Sequence, residues 1–288
     1  MNEISLATRY RNAARIVAEA DALLITAGAG MGVDSGLPDF RGDTGFWKAY
    51  PVIARQGISF AEMANPQWFQ RDPYLAWAFY GHRLNLYRRT TPHAGFAWLL
   101  SLLQTRPAGG FVLTSNVDNQ FQKAGFDPEC IEECHGSIEH LQCTTPCCPE
   151  IWSAEATRVQ VDEARFRALD PLPRCPHCNN LARPNILMFG DSDWLGQRTA
   201  RQGERLHIWL NDLLVRQRSL AIVELGAGLS VPTIRYRSET YAARLGGVLI
   251  RINPRDHEVP GPPHISLPVS AAVGIASLCA IPETSSNP

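Results

Sequence analysis

Lysine is nearly missing from this chain of 288 residues: only Lys48 and Lys123 occur, and arginine supplies every other cation. Lysine and arginine together number 27 against 28 acidic residues, a formal net charge of -1. So even a balance removes the electrostatic reason to expect nucleic-acid binding, which grows with the number of phosphates neutralised. Long apolar runs are also missing. Each apolar segment is broken by charge, Gly or Pro, which argues against a membrane span. No apolar stretch follows the basic opening of Arg9, Arg11 and Arg15, so the sequence predicts no signal peptide and a soluble, cytoplasmic protein. Internal repeats and low-complexity tracts are absent as well. Hydrophobic residues at 45% and charged residues at 19% suffice for a packed core, which excludes a disordered or fibrous chain.

What is present alternates. Ile4, Leu6, Tyr10, Ala14 and Val17 recur among charges and predict an amphipathic helix over 4–20. The apolar run 22–26 then ends in Gly28-Ala29-Gly30, the pattern of a buried strand entering a glycine turn. Further strands are predicted at 110–114, 131–136, 219–225 and 247–252, with helices near 92–105, 234–245 and 270–280. Strands interleaved with helices predict an α/β fold: a Rossmann-like parallel sheet with helices on both faces. Two stretches interrupt the rhythm. Residues 46–90 are rich in aromatics without a convincing strand and read as a helical insertion. Residues 140–185 carry five of the eight cysteines and several prolines and read as a zinc-binding module. Together these form a small domain; 1–45, 91–139 and 186–288 form the large one. Both insertions should flank the C-terminal ends of the strands, where such sheets open their crevice.

The cysteine spacing points to metal rather than disulfides in a chain this large without an export signal. Cys175-Pro-His-Cys178 is one half of a tetrahedral site, and Cys143 with Cys147 is the other. Cys148 is the alternative to Cys147, and His177, between two thiolates, is the weaker candidate. One structural Zn²⁺ would supply folding energy that so polar and Pro-rich a segment lacks. Cys130, Cys134 and Cys279 read as packed thiols.

Other residues carry two readings each. Gly28, Gly30 and Gly32 fit a tight strand–helix connection or a phosphate cradle whose helix start offers unpaired N–H groups, though their spacing is not G-x-G-x-x-G. Asp39, Asn116 and Asp118 can cap turns or hold a ligand. His135 can be a hydrogen-bonded structural residue or a base active near neutral pH. Tyr80 and Arg83 share one helix face; they are a buried Tyr beside a surface Arg, or a pair for a carboxylate.

Taken in order, these motifs are similar to the sirtuin family of NAD-dependent protein deacylases, some members of which transfer ADP-ribose. The similarity begins with Gly28-Ala29-Gly30 and Ser35-Gly36-Leu37-Pro38-Asp39-Phe40-Arg41-Gly42. It continues through Thr114-Ser115-Asn116-Val117-Asp118, Ala124-Gly125, His135-Gly136-Ser137, the cysteine pairs and Phe189-Gly190-Asp191, and closes with Gly226 and Ile252-Asn253. The resemblance implies an NAD site formed by Gly28, Ala29, Gly30, Asp39, Phe40, Arg41, Ser115, Asn116, Asp118, Gly226, Ala227, Gly228, Asn253 and Pro254. Within it, Asn116 and Asp118 would hold the nicotinamide ribose and a water, Asp39 would sit by the carboxamide, and Phe40 would screen the anomeric carbon. Arg41 would contact phosphate. His135 would be the general base, acting through the ribose hydroxyls. The acylated protein or peptide substrate would meet Phe189, Gly190 and Val231. In the branch of the family that removes succinyl, malonyl or glutaryl groups, a Tyr-x-x-Arg pair placed like Tyr80 and Arg83 binds the acyl carboxylate. Implied products are free lysine, nicotinamide and O-acyl-ADP-ribose; the alternative is an ADP-ribosyltransferase or NAD glycohydrolase using the same pocket. Departures are Ser115 for the usual Gln, Gln120-Phe121 for Leu-His, Gly32 for Ser, Asp191 for Glu, and Ala227-Gly228 where many relatives have Thr and Ser.

Overall fold

A computed structural model describes residues 5–38 and 42–279. In chain order they form α1 (Leu6–Glu19), β1 (Ala22–Ala27), α2 (Gly30–Val33), α3 (Gly42–Ala49), α4 (Pro51–Ala54), α5 (Phe60–Met63), α6 (Trp68–Arg71), α7 (Pro73–Arg89), α8 (Ala94–Gln104), β2 (Gly110–Thr114), α9 (Gln120–Lys123) and β3 (Ile131–Glu133). Next come β4 (Gly136–Cys143), β5 (Trp152–Ser153), β6 (Val161–Asp162), β7 (Arg167–Ala168), β8 (Ala182–Ile186), α10 (Gln197–Val215), β9 (Leu220–Leu225), α11 (Thr233–Leu245), β10 (Val248–Ile252), β11 (Ile265–Leu267) and α12 (Ala271–Cys279).

Six strands make one sheet in the order β11-β10-β9-β1-β2-β3, and every pairing in it is parallel. β1 and β9 are central and buried at every position, which is why both read as largely apolar runs, broken only by Thr26 in β1 and Glu224 in β9. Alternate residues of β1 serve two cores. Leu23, Ile25 and Ala27 pack with α1, α8 and α12, whereas Ala22 and Leu24 pack with α10 and α11. The parallel sheet covered on both faces is thus as expected. Counting from β1, β2 and β3 run to one side and β9 to β11 to the other. The chain reverses direction across the sheet between β1 and β9, the place where open α/β sheets bind ligands.

A third cluster of buried residues lies apart from the sheet. The helices from α3 to α7 pack the aromatic residues of the insertion against Ile138, Leu141, Ala154, Phe166 and Ile186. Phe46, Tyr50 and Phe79 meet with ring centroids 5.2 to 5.8 Å apart, edge-on or tilted. The cysteine segment is anchored by an antiparallel sheet in the order β5-β4-β8, with a hairpin of β6 and β7 beside it. Arg183 and Asp191 are paired in its interior, with side chains 1% and 0% exposed. No described helix is long and apolar enough to cross a membrane.

Two elements depart from expectation. The strand predicted over 131–136 ends at Glu133, because Gly136 takes φ +80° and turns the chain into β4. The helix over 197–215 was not anticipated; only Gln202, Leu206, Leu210 and Leu213 of it are buried, so its apolar stripe is narrow.

Candidate active site

The register of the sheet assembles the site. Ala27 pairs with Thr114 and with Leu225, Thr114 with Glu133, and Leu225 with Ile252. Four strands and their neighbour therefore end on one row, and the chain leaves that row as Gly28, Ser115, Cys134-His135, Gly226 and Asn253. A cavity of about 450 Å³ opens above it. Its lining includes Gly28, Ala29, Ser115, Asn116, Asp118, His135, Gly226, Ala227, Gly228, Tyr80, Arg83, Phe189 and Val231. Gly30, Gly190, Asn253 and Pro254 do not line it. Asp39, Phe40 and Arg41 lie outside the described residues.

Of the two readings of the glycines, the contacts directly support a tight strand–helix connection. A Cβ on Gly28 would stand 2.8 Å from Ala227 Cα, and one on Gly226 would stand 2.4 Å from Gly30 Cα. Gly28 and Gly226 are therefore required by each other's loop, and only Gly226 of the pair needs a positive φ, +60°. The Gly30 N–H donates to Gly226 O at 3.0 Å and the Met31 N–H to Gly28 O at 3.0 Å. Helix α2, with four residues, thus spends its first N–H groups inside the protein. Asn253 is fully buried and its Nδ2 donates to Ala227 O at 2.8 Å, so it shapes the 226–228 loop from beneath.

On the β2 side, Asn116 Nδ2 donates to Gly28 O at 3.1 Å, and Asn116 N–H to Thr114 Oγ1 at 3.0 Å. These bonds hold the amide against the glycine turn. Asp118 is 8% exposed and accepts from the Gln120 N–H at 3.1 Å. Burial pushes its carboxyl up to about 6, with Glu133 adding to the rise and Arg83 opposing it. Gly32, where relatives carry Ser, is crowded: a Cβ there would be 3.0 Å from Leu37 Cδ1 and 3.6 Å from Asp118 Oδ2. His135 follows β3, and its carbonyl accepts from the Leu187 N–H at 3.0 Å. Burial first, and then the charge of Arg237, hold its imidazole below the ordinary 6.5. A histidine held neutral at pH 7 is suited to accept a proton.

The deep end of the cavity belongs to α7. Tyr80 is 1% exposed and Arg83 7%, so the reading of a surface Arg is excluded. Tyr80 Oη is buried without a hydrogen-bond partner, an unsatisfied polar atom beside the cavity. Arg83 lies 5.1 Å from the Phe79 ring centroid, 5.8 Å from that of Tyr80 and 5.5 Å from that of Tyr87. Its Nε donates to Tyr87 Oη at 3.0 Å. Tyr87 also lines the cavity and was missed in the sequence, although 80, 83 and 87 share one helix face. Two exposed apolar edges border the mouth: Phe189, fixed by its N–H bond to Ala64 O at 2.9 Å, and Leu229 with Val231. Arg183 and Met188 N–H both donate to Asp191, which ties down the segment before Phe189.

The cysteine cluster is separate from the cavity. Sulfurs of Cys143, Cys147, Cys175 and Cys178 lie within 4.8 Å of one another. The Cys143–Cys178 and Cys147–Cys175 separations are 3.7 Å each. A Zn–S bond of about 2.3 Å in a tetrahedron gives an S–S edge of about 3.8 Å. Donor type, number and spacing therefore fit Zn²⁺, with Cys147 rather than Cys148 in the set. Of the other thiols, Cys130 and Cys134 are half-buried, whereas Cys279 is exposed and not packed as expected.

Comparison with known proteins agrees with this geometry. A family model described as the Sir2 family matches residues 28–210. An NAD-dependent protein deacylase of Thermococcus kodakarensis is 33% identical over 180 residues, 62% of this chain and 64% of the relative. The match thus spans somewhat less than two thirds of that relative. NAD-dependent protein deacylase 1 of Archaeoglobus fulgidus is 30% identical over 248 residues, 83% of this chain and 84% of its own. A crystal structure of a Sir2 homologue in complex with NAD superposes with a TM-score of 0.65 at 25% identity, covering 92% of this chain and 91% of the homologue.

Proposed function

The chain belongs to the Sir2 family, and from that premise we propose that it is an NAD-dependent protein-lysine deacylase that accepts acyl groups ending in a carboxylate as well as acetyl. The observation that carries this reading is convergence. Asn116, Asp118 and His135, from the ends of two strands, face the same cavity as Tyr80 and Arg83 from α7.

NAD, when bound, supplies the anomeric carbon and the ribose hydroxyls that take over the acyl group. The residues of the chain do the rest. The loops at 28–29 and 226–228 form the floor for the dinucleotide, their backbones fixed against each other by the absence of Cβ atoms. Asn116 and Asp118 hold the ribose end, Asn116 kept in place by its bond to Gly28 O. A ring nitrogen of neutral His135 takes the proton of a ribose hydroxyl, and the depressed basicity of this imidazole keeps it available at pH 7. Arg83, with Tyr80 Oη beside it, receives an acyl carboxylate in a pocket whose low polarity strengthens a charge-assisted contact. The peptide lies between Phe189 and Val231. The four-cysteine site holds one structural Zn²⁺ and takes no part in the chemistry. A cytoplasmic setting suits four reduced thiolates.

The test is product analysis by mass spectrometry with NAD and acetyl, succinyl and malonyl peptides. O-acyl-ADP-ribose with free lysine is expected. ADP-ribosylated peptide, or free ADP-ribose without deacylation, would replace the deacylase reading by ADP-ribosyl transfer or NAD hydrolysis in the same cavity.

A further inference from the structure

A second group of metal-ligating side chains stands beside the four-cysteine cluster. Cys148 Sγ, a carboxylate oxygen of Glu150 and a ring nitrogen of His177 lie within 4.8 Å of one another. We propose that these three residues bind a second Zn²⁺ ion, with three protein ligands and one position open to water, on the outer side of the structural site.

The donor set suits zinc. One thiolate, one imidazole and one carboxylate are the three ligand types that it takes, and three of them leave the open tetrahedral position of a non-structural site. An exposed His–Glu contact alone would be a surface ion pair of little consequence. Here His177 Nε2 meets Glu150 Oε2 with the sulfur of Cys148 in the same group. Position favours the site as well. Cys148 follows the ligand Cys147, and His177 sits between the ligands Cys175 and Cys178. The first ion therefore clamps both loops that carry the second group, which removes most of the ordering cost of the second site. Charge acts in the same direction. Zn²⁺ with four thiolates carries a net charge of about -2, and Cys148 and Glu150 add negative charge when ionised. A cation a few ångströms away is attracted by all of it. The Cys147 and Cys148 sulfurs are 3.9 Å apart, so the two sites lie side by side without a shared ligand.

The experiment measures zinc per chain in full-length protein saturated with Zn²⁺ and passed through a desalting column. Elemental analysis of the parent should give two ions, and Cys148→Ser, Glu150→Gln and His177→Gln should each give one. Cobalt titration gives an independent readout. The first equivalent should show a four-thiolate spectrum, and the second a weaker sulfur charge-transfer band that Cys148→Ser abolishes. Glu150→Gln, on an exposed side chain outside both cysteine pairs, guards against misfolding and should weaken the second ion at least tenfold. A parent that holds one zinc, or variants that still hold two, would overturn the proposal.

Discussion

Arg83 Nε donates a 3.0 Å hydrogen bond to Tyr87 Oη one turn along the same helix, and both side chains are buried at the deep end of the cavity. The bond limits the orientations open to the guanidinium, and on the proposed reading that orientation serves an acyl carboxylate. Arg83→Met should therefore lower kcat/KM for a succinyl peptide at least tenfold more than for an acetyl peptide, the size expected for a charge-assisted contact. Tyr87→Phe keeps the charge and releases its orientation. It should raise KM for the succinyl peptide severalfold and leave that for the acetyl peptide unchanged. Equal losses on both substrates would remove the carboxylate from the pocket.

His135 should be separable from cofactor binding. His135→Ala is expected to lose two to four orders of magnitude in deacylation, the usual worth of a general base. NAD binding measured by calorimetry should persist. Burial and Arg237 hold the imidazole below 6.5, so its neutral form dominates at and above that pH. The limb of kcat/KM that reports this base should then fall only below pH 6.5, and a midpoint above 7 would contradict the assignment. The same lowered affinity for a proton contributes stability that is present above pH 6.5 and lost as pH falls through the lower folded value.

Much of this was legible in the sequence because it depends on local patterns. The mostly apolar run at 22–26 announced a buried strand, and the ends of strands announced where the cavity would be. What escaped notice is polar. β8 contains Arg183, Pro184 and Asn185, and β4 contains Glu139, His140 and Gln142, residues that do not spell a strand. They are tolerated because Arg183 is paired with Asp191, and Asn185 Nδ2 donates to Gln142 Oε1 at 2.9 Å. Arg251 with Glu224 in β10 and β9, and Arg237 with Glu132, are further long-range pairs that no window of sequence reveals. Helix α10 was missed for the converse reason: solvent covers most of it. The glycine turn was recognised, yet its reason was not, because the atoms that exclude a Cβ at Gly28 come from the distant loop at Gly226 and Ala227.

Removing the structural metal should unfold the small module first. A strong chelator, or Cys175→Ser at a buried ligand, should abolish amide protection across 140–185 while the strands β1, β2, β9 and β10 keep theirs. The parallel sheet draws on its own two cores, whereas the loops at 144–151 and 173–180, which carry Cys147, Cys175 and Cys178, place no residue in any hydrophobic core cluster and depend on the metal for their order. Hydrogen exchange read by mass spectrometry checks this. Uniform loss of protection in both regions would show that the zinc module and the sheet fold as one unit.

Gly136 and Gly109 offer a matched test of backbone against packing. Both have positive φ, +80° and +69°. A Cβ at Gly136 would stand 2.1 Å from Asn185 O, whereas at Gly109 nothing lies within 4 Å. Gly109→Ala should cost only the dihedral strain, about 1 kcal/mol. Gly136→Ala must also part β4 from β8 beside His135, so it should cost at least about 3 kcal/mol and lower activity. Denaturant midpoints of the two variants decide it; equal losses would mean that β8 yields without cost.

Asp118 should trade stability for activity. Its folded carboxyl is raised from 3.8 to about 6 by burial. For a raised acid the favourable contribution is complete below the unfolded value. It is lost as pH rises through the folded value, so above pH 6 the fold carries the cost of a buried anion. That cost is about 3 kcal/mol at pH 7, since each tenfold change in proton affinity is worth about 1.4 kcal/mol. Asp118→Asn keeps an oxygen for the Gln120 N–H and removes the charge. The variant should be more stable than the parent at pH 7 by up to this amount, equal to it near pH 4, and slower in turnover by at least tenfold. Urea unfolding at pH 4, 5, 6 and 7 measures the divergence. A difference that does not grow with pH would mean that Asp118 gives up its proton in the fold as easily as in the unfolded chain, and the site would then hold a full carboxylate at every working pH.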